Sequence, residues 1–243
     1  PQGVGGAEGR RWELQKEVGV ELSTMKPTLR FRRFQALAPT VVVLCCWNGA
    51  ATPDPIEVPV HDGEPQGFVK RLTAAALERT RHDVRYDGAY RSIPYPGGDV
   101  PAGVGVCTDV LVRSYRALGI DLQREVHEDM AASFSVYPRR WGLSAPDPNI
   151  DHRRVPNLEV FFARHGERLP VTDDPADYVP GDLVSWMVGP LPHIGIVVPV
   201  RSSDGARFQV VHNIGRGPEL EDMLFDYPVV GHFRYYGPGD AQR

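Results

Sequence analysis

Three residues far apart in the chain have the side chains that covalent acyl transfer needs: Cys107, His193 and His212. Cys107 follows the flexible run Ala102-Gly103-Val104-Gly105 and opens a stretch with helical spacing. Amide N–H groups and the dipole at a helix start favour a thiolate, so this position predicts a lowered thiol pKa. The same N–H groups can hold the oxyanion formed when a thiolate attacks a carbonyl. Such a nucleophile also needs a base to manage the leaving group's proton. His193 opens the run HIGIVVPV after the turn Gly189-Pro190-Leu191-Pro192, and His212 ends the next β-rich run, in QVVHN. Adjacent antiparallel strands can bring their ends together, so one ring can orient the other. The expected roles are Cys107 as nucleophile, His193 as base and His212 as orienter. The plainer alternative is a small buried thiol and two core-edge histidines bonded to backbone.

Other polar residues carry more than one reading. Asp109, two positions after Cys107, suits either a charge–dipole interaction or a substrate contact. Tyr86, Tyr90 and Trp186 are candidates to line a cleft, as is the run His127-Glu128-Asp129. His152 and Arg153, inside Asp151-His152-Arg153-Arg154, suit either an anionic substrate group or a cluster of ion pairs bracing a loop. His165 fits a dipole-favoured helix end, and Asn213 either orients rings or starts a turn. A metal-dependent hydrolase is the competing enzyme class, because His127, His152, His193, His212 and His232 would suffice for a three-ligand zinc centre. The sequence has neither HExxH nor a helical i, i+4 histidine pair, so no metal or other cofactor is expected. A non-catalytic protein that binds an envelope fragment in the same cleft is the third reading, since a fold does not fix a function.

The elements that must position these residues follow from periodicity. Helices are expected at 66–81, at 107–118 before Gly119, and at 158–165 before Gly166. Residues 121–157 read as loop-rich, with a short helix around 126–134. Short β-rich runs at 182–188, 194–200, 207–212 and 230–236 are separated by Gly, Pro, Asn and Asp. Helices first and an antiparallel sheet second is an α+β layout.

Composition sets the outer bounds. The 243 residues are 42% hydrophobic and 24% charged, which is ordinary globular usage and excludes a wholly disordered chain. With 27 Lys+Arg against 31 Asp+Glu, the net charge of −4 gives no electrostatic case for nucleic acid. Residues 25–51 have the three parts of a secretory signal: Met25 with Lys26, Arg30, Arg32 and Arg33, then the apolar Phe34 to Trp47, then Gly49, Ala50 and Ala51. Residues 1–24 read as an extension upstream of the true start. The expected location is periplasmic or secreted, with no membrane span in the mature chain, because no apolar run reaches the roughly 18–20 residues a span needs. Val42, Val43 and Leu44 match a lipoprotein signal poorly, so Cys45 or Cys46 is not expected to be acylated. Cutting after Ala51 removes seven Lys/Arg and four Asp/Glu, leaving 20 against 27, a net charge of −7 and one cysteine, Cys107. Residues 52–243 read as a single cysteine-hydrolase-like domain.

A family resemblance agrees with this. The run Val179-Pro-Gly-Asp-Leu-Val-Ser-Trp186 followed by His193-Ile-Gly-Ile-Val197 resembles the signature of NlpC-like and CHAP cysteine peptidases of papain-like fold. The stretches GVCTDVLVRSYRALGIDLQREVHEDM, NIDHRRVPNLEVFFARHG and HNIGRGPELEDMLFDYPVVGHFRY resemble an exported bacterial family of unknown function. That likeness covers residues 66 to 237. It implies a papain-like, NlpC-type fold with N-terminal helices packed on a C-terminal antiparallel sheet. In that superfamily a cysteine at a helix start is the nucleophile and a strand histidine is its base, roles that fall on Cys107 and His193, with His212 as orienter. It also implies a cell-envelope peptide or peptidoglycan fragment as the partner.

Overall fold

A computed structural model describes residues 64–238. The expected extension and signal segment, residues 1–24 and 25–51, lie outside the described residues. Among the described residues four α-helices precede the main sheet: α1 (Glu64–Arg79), α2 (Cys107–Arg116), α3 (Leu122–Ser133) and α4 (Val155–His165). Two short parallel strands, β1 (Arg85–Tyr86) and β2 (Val104–Gly105), lie between α1 and α2. The strands β3 (Glu167–Arg168), β4 (Leu183–Val188), β5 (Leu191–Arg201), β6 (Phe208–His212), β7 (Glu219–Glu221) and β8 (Val229–Arg234) follow. They form one antiparallel sheet in the order β3-β8-β4-β5-β6-β7. The α+β layout expected from the sequence is therefore the observed one.

Both faces of the central strands are covered, which explains why β5 reads as an almost unbroken apolar run. Ile194, Ile196 and Val198 of β5 join a core with Phe68, Leu72 and Ala76 of α1 and Val110, Leu111 and Tyr115 of α2. On the other face Val197 packs with Val184, Trp186, Val210, Met223 and Leu224. This alternation is the period-2 geometry of a strand. It holds the start of α2 against the start of β5, which fixes the site.

Several boundaries differ from the expected ones, among them the helix expected at 158–165, which begins at Val155. The helix expected at 126–134 begins at Leu122, because the Asp121 side chain caps it by accepting the Gln123 N–H at 3.1 Å. Strand β5 begins at Leu191 rather than Ile194, so His193 lies inside the strand, opposite Trp186 of β4. The Pro-Gly-Asp run also has a structural reason. Asp182, 1% exposed, accepts the Val179 N–H at 2.9 Å and the Arg234 Nε–H at 2.6 Å, and lies 2.8 Å from His232 Nε2. One carboxylate thereby ties the entry of β4 to β8.

Candidate functional site

Cys107 is the first residue of α2, after Val106 in an extended N-cap conformation. Asp109 reaches back to accept the Val106 N–H at 2.7 Å, so the carboxylate fixes the first turn of the helix that carries the sulfur. The same carboxylate receives two hydrogen bonds from Arg153, from Nε and Nη2, each 2.9 Å long. Arg153 donates further to the carbonyls of Asp87 and Ala89, at 3.2 and 3.4 Å, and Thr108 Oγ1 donates to the Arg153 carbonyl at 3.1 Å. At the end of β2, Gly105 lets the backbone pass close to this carboxylate, since a Cβ there would crowd Asp109 Cβ and Oδ2 at 3.2 Å. The start of α2 is thus locked to two separate loop segments through one buried ion pair.

The histidines enter from the sheet. The N–H of Ile194, the residue after His193, is hydrogen-bonded to the Cys107 sulfur. His193 Nε2 lies 3.0 Å from His212 Nδ1, with the two rings nearly perpendicular at 86°. His212 Nε2 lies 3.0 Å from Glu221 Oε2 on β7. The approach of β6 to β5 at this level depends on Gly195, where a Cβ would meet Val210 Cγ1 at 2.6 Å and His212 Cβ at 3.1 Å. The structure therefore joins His193 and His212 and continues that line to a carboxylate, and it places the Cys107 sulfur at the backbone of Ile194, the residue that follows His193.

Glu221 was not among the sequence candidates. The only available signal was the alternation of Glu219 and Glu221 in a run that could pair beside QVVH. Pairing of His212 with Glu219 and of Val210 with Glu221 puts both glutamates on one side of β7, within diagonal reach of His212.

Burial controls the electrostatics. Cys107 and His193 are each 4% exposed and His212 is fully buried. Burial pushes the Cys107 thiol up to about 12, with the nearby Asp109 charge adding to the rise, despite hydrogen bonds from the Ile194 and Thr108 N–H groups. This overturns the lowered value expected from a helix start: the local donors are present, but removal from water outweighs them. Burial, aided by His212, likewise holds His193 well below the usual imidazole range. The resting pair is a neutral thiol and a neutral ring.

The remaining candidates divide by exposure. Tyr86 pairs with Gly105 across β1 and β2, and its phenol is raised chiefly by burial. Tyr90 is 43% exposed, and its hydroxyl accepts from Asn149 Nδ2 at 3.0 Å. Trp186 is turned inward: it is fully buried, its indole N–H donates to the Leu224 carbonyl at 2.8 Å, and its ring stands 5.9 Å from that of His193. It backs the histidine and offers no surface to a ligand. Asp109 and Arg153 are occupied by each other, which is the loop-bracing alternative rather than substrate contact. His152 is 2% exposed with Nδ1 unpartnered, and burial lowers it to about 4. Asn213 starts the turn after β6, its Oδ1 accepting the Gly215 and Gly217 N–H groups. His165 stacks on Phe161 and meets Asp129 at 2.9 Å.

Among the described residues, no three His, Cys, Asp or Glu side chains are grouped to hold a metal ion, and His193, His212 and Glu221 form a line rather than a cage. No helix among them is long and apolar enough to cross a membrane.

A family model described as a domain of unknown function, DUF1287, matches residues 73–235. The uncharacterized protein YijF of Escherichia coli (strain K12) is 52% identical over 152 residues, which cover 62% of this chain and 74% of that protein. Among solved structures the chain is similar to NlpC1 from Trichomonas vaginalis, with 18% identity and a TM-score of 0.39. That match covers 72% of this chain and 46% of the solved one, so the chain spans less than half of that protein's length.

Proposed function

The chain belongs to the DUF1287 family, and we propose that it is an exported cysteine hydrolase of papain-like fold that cleaves an amide bond in an envelope peptide. A peptidoglycan stem or crosslink is the substrate class this reading favours. The observation that carries it is the meeting of the Cys107 sulfur with the Ile194 N–H, directly beside a His193–His212 pair spaced at 3.0 Å. Export and substrate class rest on the residue 25–51 pattern and on the resemblance of the Pro-Gly-Asp and His193-Ile-Gly-Ile runs to NlpC-like peptidases.

With both partners neutral at rest, the reaction starts by general-base attack. The sulfur bonds to the amide carbonyl carbon as its proton passes to His193, and the carbonyl oxygen takes the negative charge. Backbone N–H groups at the start of α2 stabilise that oxyanion. Collapse breaks the C–N bond, His193 gives its proton to the leaving amine, and a thioester remains on Cys107. Water then attacks the thioester with His193 again as base, releasing a carboxylic acid and the free thiol. His212 orients the His193 ring throughout.

Purified residues 52–243, incubated with cell-wall fragments and followed by mass spectrometry of the products, test the reading. Cys107→Ala is expected to abolish cleavage, and His193→Ala to lose about 10²- to 10⁴-fold in rate. His212→Gln is expected to retain part of the activity, because an amide can still hydrogen-bond to the ring. Unchanged turnover in His193→Ala would assign the base elsewhere.

A further inference from the structure

We infer that Glu221 is a positioning residue for this site: it selects the tautomer of His212 and, through it, the nitrogen that His193 offers to Cys107. Its catalytic consequence rests on the hydrolase reading, whereas the tautomer argument rests on hydrogen-bond geometry together with the burial of His193.

The argument starts from what each atom can donate. An ionised carboxylate only accepts hydrogen bonds, and a neutral imidazole has one donor and one acceptor nitrogen. Glu221 Oε2 lies 3.0 Å from His212 Nε2, so that nitrogen carries the hydrogen. In a neutral His212 ring Nδ1 is then an acceptor, and the atom 3.0 Å from it, His193 Nε2, is the donor. His193 is itself neutral because of its burial, so its one hydrogen is spent on His212. Nδ1 is left as the free basic nitrogen. The polarity of the whole line is set from the Glu221 end.

Removing the carboxylate removes that selection. His212 could then hold its hydrogen on Nδ1 and donate to His193 Nε2. The hydrogen of His193 would move to Nδ1, and a nitrogen already protonated cannot receive the thiol proton. In the correct polarity, attack breaks the S–H bond, forms the S–C bond and puts the proton on His193 Nδ1. The Nε2 hydrogen stays in place and becomes a charge-assisted donor to His212, and no proton reaches Glu221.

Glu221 is suited to this role because it is held and because it is the most exposed member of the line. Its side chain is 26% exposed at the edge strand, against 0% for His212. Arg216 Nη2 donates to Glu221 Oε1 at 3.2 Å, and Arg216 Nε donates to Glu219 Oε1 at 3.0 Å. The titratable and charged groups around the carboxylate include His212 from β6, Arg216 from the turn, Glu219 on its own strand, and Asp226.

Nitrogen NMR of histidine-labelled residues 52–243 at neutral pH reads ring tautomers directly. Wild type is expected to show His212 and His193 each with the hydrogen on Nε2. Glu221→Ala is expected to give a mixed His212 tautomer, while Glu221→Gln, whose Oε1 still accepts, keeps the wild-type pattern. In cell-wall fragment cleavage, Glu221→Ala should lower kcat by about 10- to 100-fold, the scale of one charged hydrogen bond, with little change in KM. Glu221→Gln should restore most of that loss. Wild-type tautomers in Glu221→Ala overturn the inference whatever the activity. Tautomers that respond to Glu221→Ala in a protein that cleaves no fragment support the inference and count against the hydrolase reading.

Discussion

Replacing Arg153 with methionine should unfold the protein far more readily than its position in a loop suggests. Arg153 and Asp109 are 2% and 3% exposed, and they are joined by two hydrogen bonds of 2.9 Å. Methionine fills much of the arginine's volume but leaves Asp109 charged, buried and supported only by the Val106 N–H at 2.7 Å. It also leaves the Asp87 and Ala89 carbonyls without their guanidinium donor. Breaking one side of a buried pair costs about 3–5 kcal/mol. At roughly 2–4 °C per kcal/mol for a domain of this size, the melting temperature should fall by about 6–20 °C. The assay is urea and thermal unfolding by circular dichroism at neutral pH, for wild type, R153M, D109N and the double variant D109N/R153M. The double variant should recover at least about 1 kcal/mol relative to R153M, because it removes the stranded charge while the substituted asparagine side chain still accepts the Val106 N–H. A loss below about 1 kcal/mol in R153M, or strictly additive losses in the cycle, would refute the reasoning.

Three other outcomes follow from the site. Iodoacetamide labelling of Cys107, followed by mass spectrometry from pH 6 to 10, should keep accelerating across the whole range because burial pushes the thiol up to about 12; a plateau below the free-thiol value of about 8.5 would contradict this. His152 is lowered to about 4 by burial, so between about pH 6.5 and 4 the unfolded chain binds a proton the folded one refuses, and stability falls with pH by up to about 3 kcal/mol. Urea midpoints at pH 7 and 4.5 should therefore drop less in His152→Gln than in wild type. Gly195→Ala should cost about 1–3 kcal/mol and lower cleavage, because the added methyl meets Val210 Cγ1 at 2.6 Å and His212 Cβ at 3.1 Å; an unchanged melting temperature would show that β6 has room to shift.

Most of the framework could be read from residue patterns. The stripe from Cys107 through Val110, Leu111 and Tyr115 marked α2, and the apolar runs around Ile194 and Val210 marked the central strands. What escaped was set by contacts between distant segments. Strand β5 extends back to Leu191 because His193 finds Trp186 across the sheet, and nothing local to Pro192 and His193 announces that. The first turn of α3 depends on Asp121 as a cap, a short polar signal inside a loop-rich stretch. The Cys107 shift went the other way from expectation because helix-start donors are visible in sequence, whereas depth of burial is a property of the packed whole. Glu221 was missed for a related reason: a three-residue edge strand has too little pattern to place beside its neighbour. His152 and Arg153 had two readings that chain position alone could not separate, and the partner Asp109, 44 residues away, separates them for Arg153.

The two halves of the site also differ in how far along the chain their contacts reach. The His193–His212 and His212–Glu221 contacts span 19 and 9 residues, so consecutive hairpins can form them locally. The contacts that hold the sulfur's helix are remote: 44 residues from Asp109 to Arg153, 66 from Asp87 to Arg153, and 108 from Gly105 to Asn213. Long loops close later than short ones during folding. The histidine line should therefore assemble early on its hairpins, with Cys107 docking onto it only as the last large loops close. A refolding chain would then keep Cys107 apart from the histidine pair until almost the entire molecule is in place.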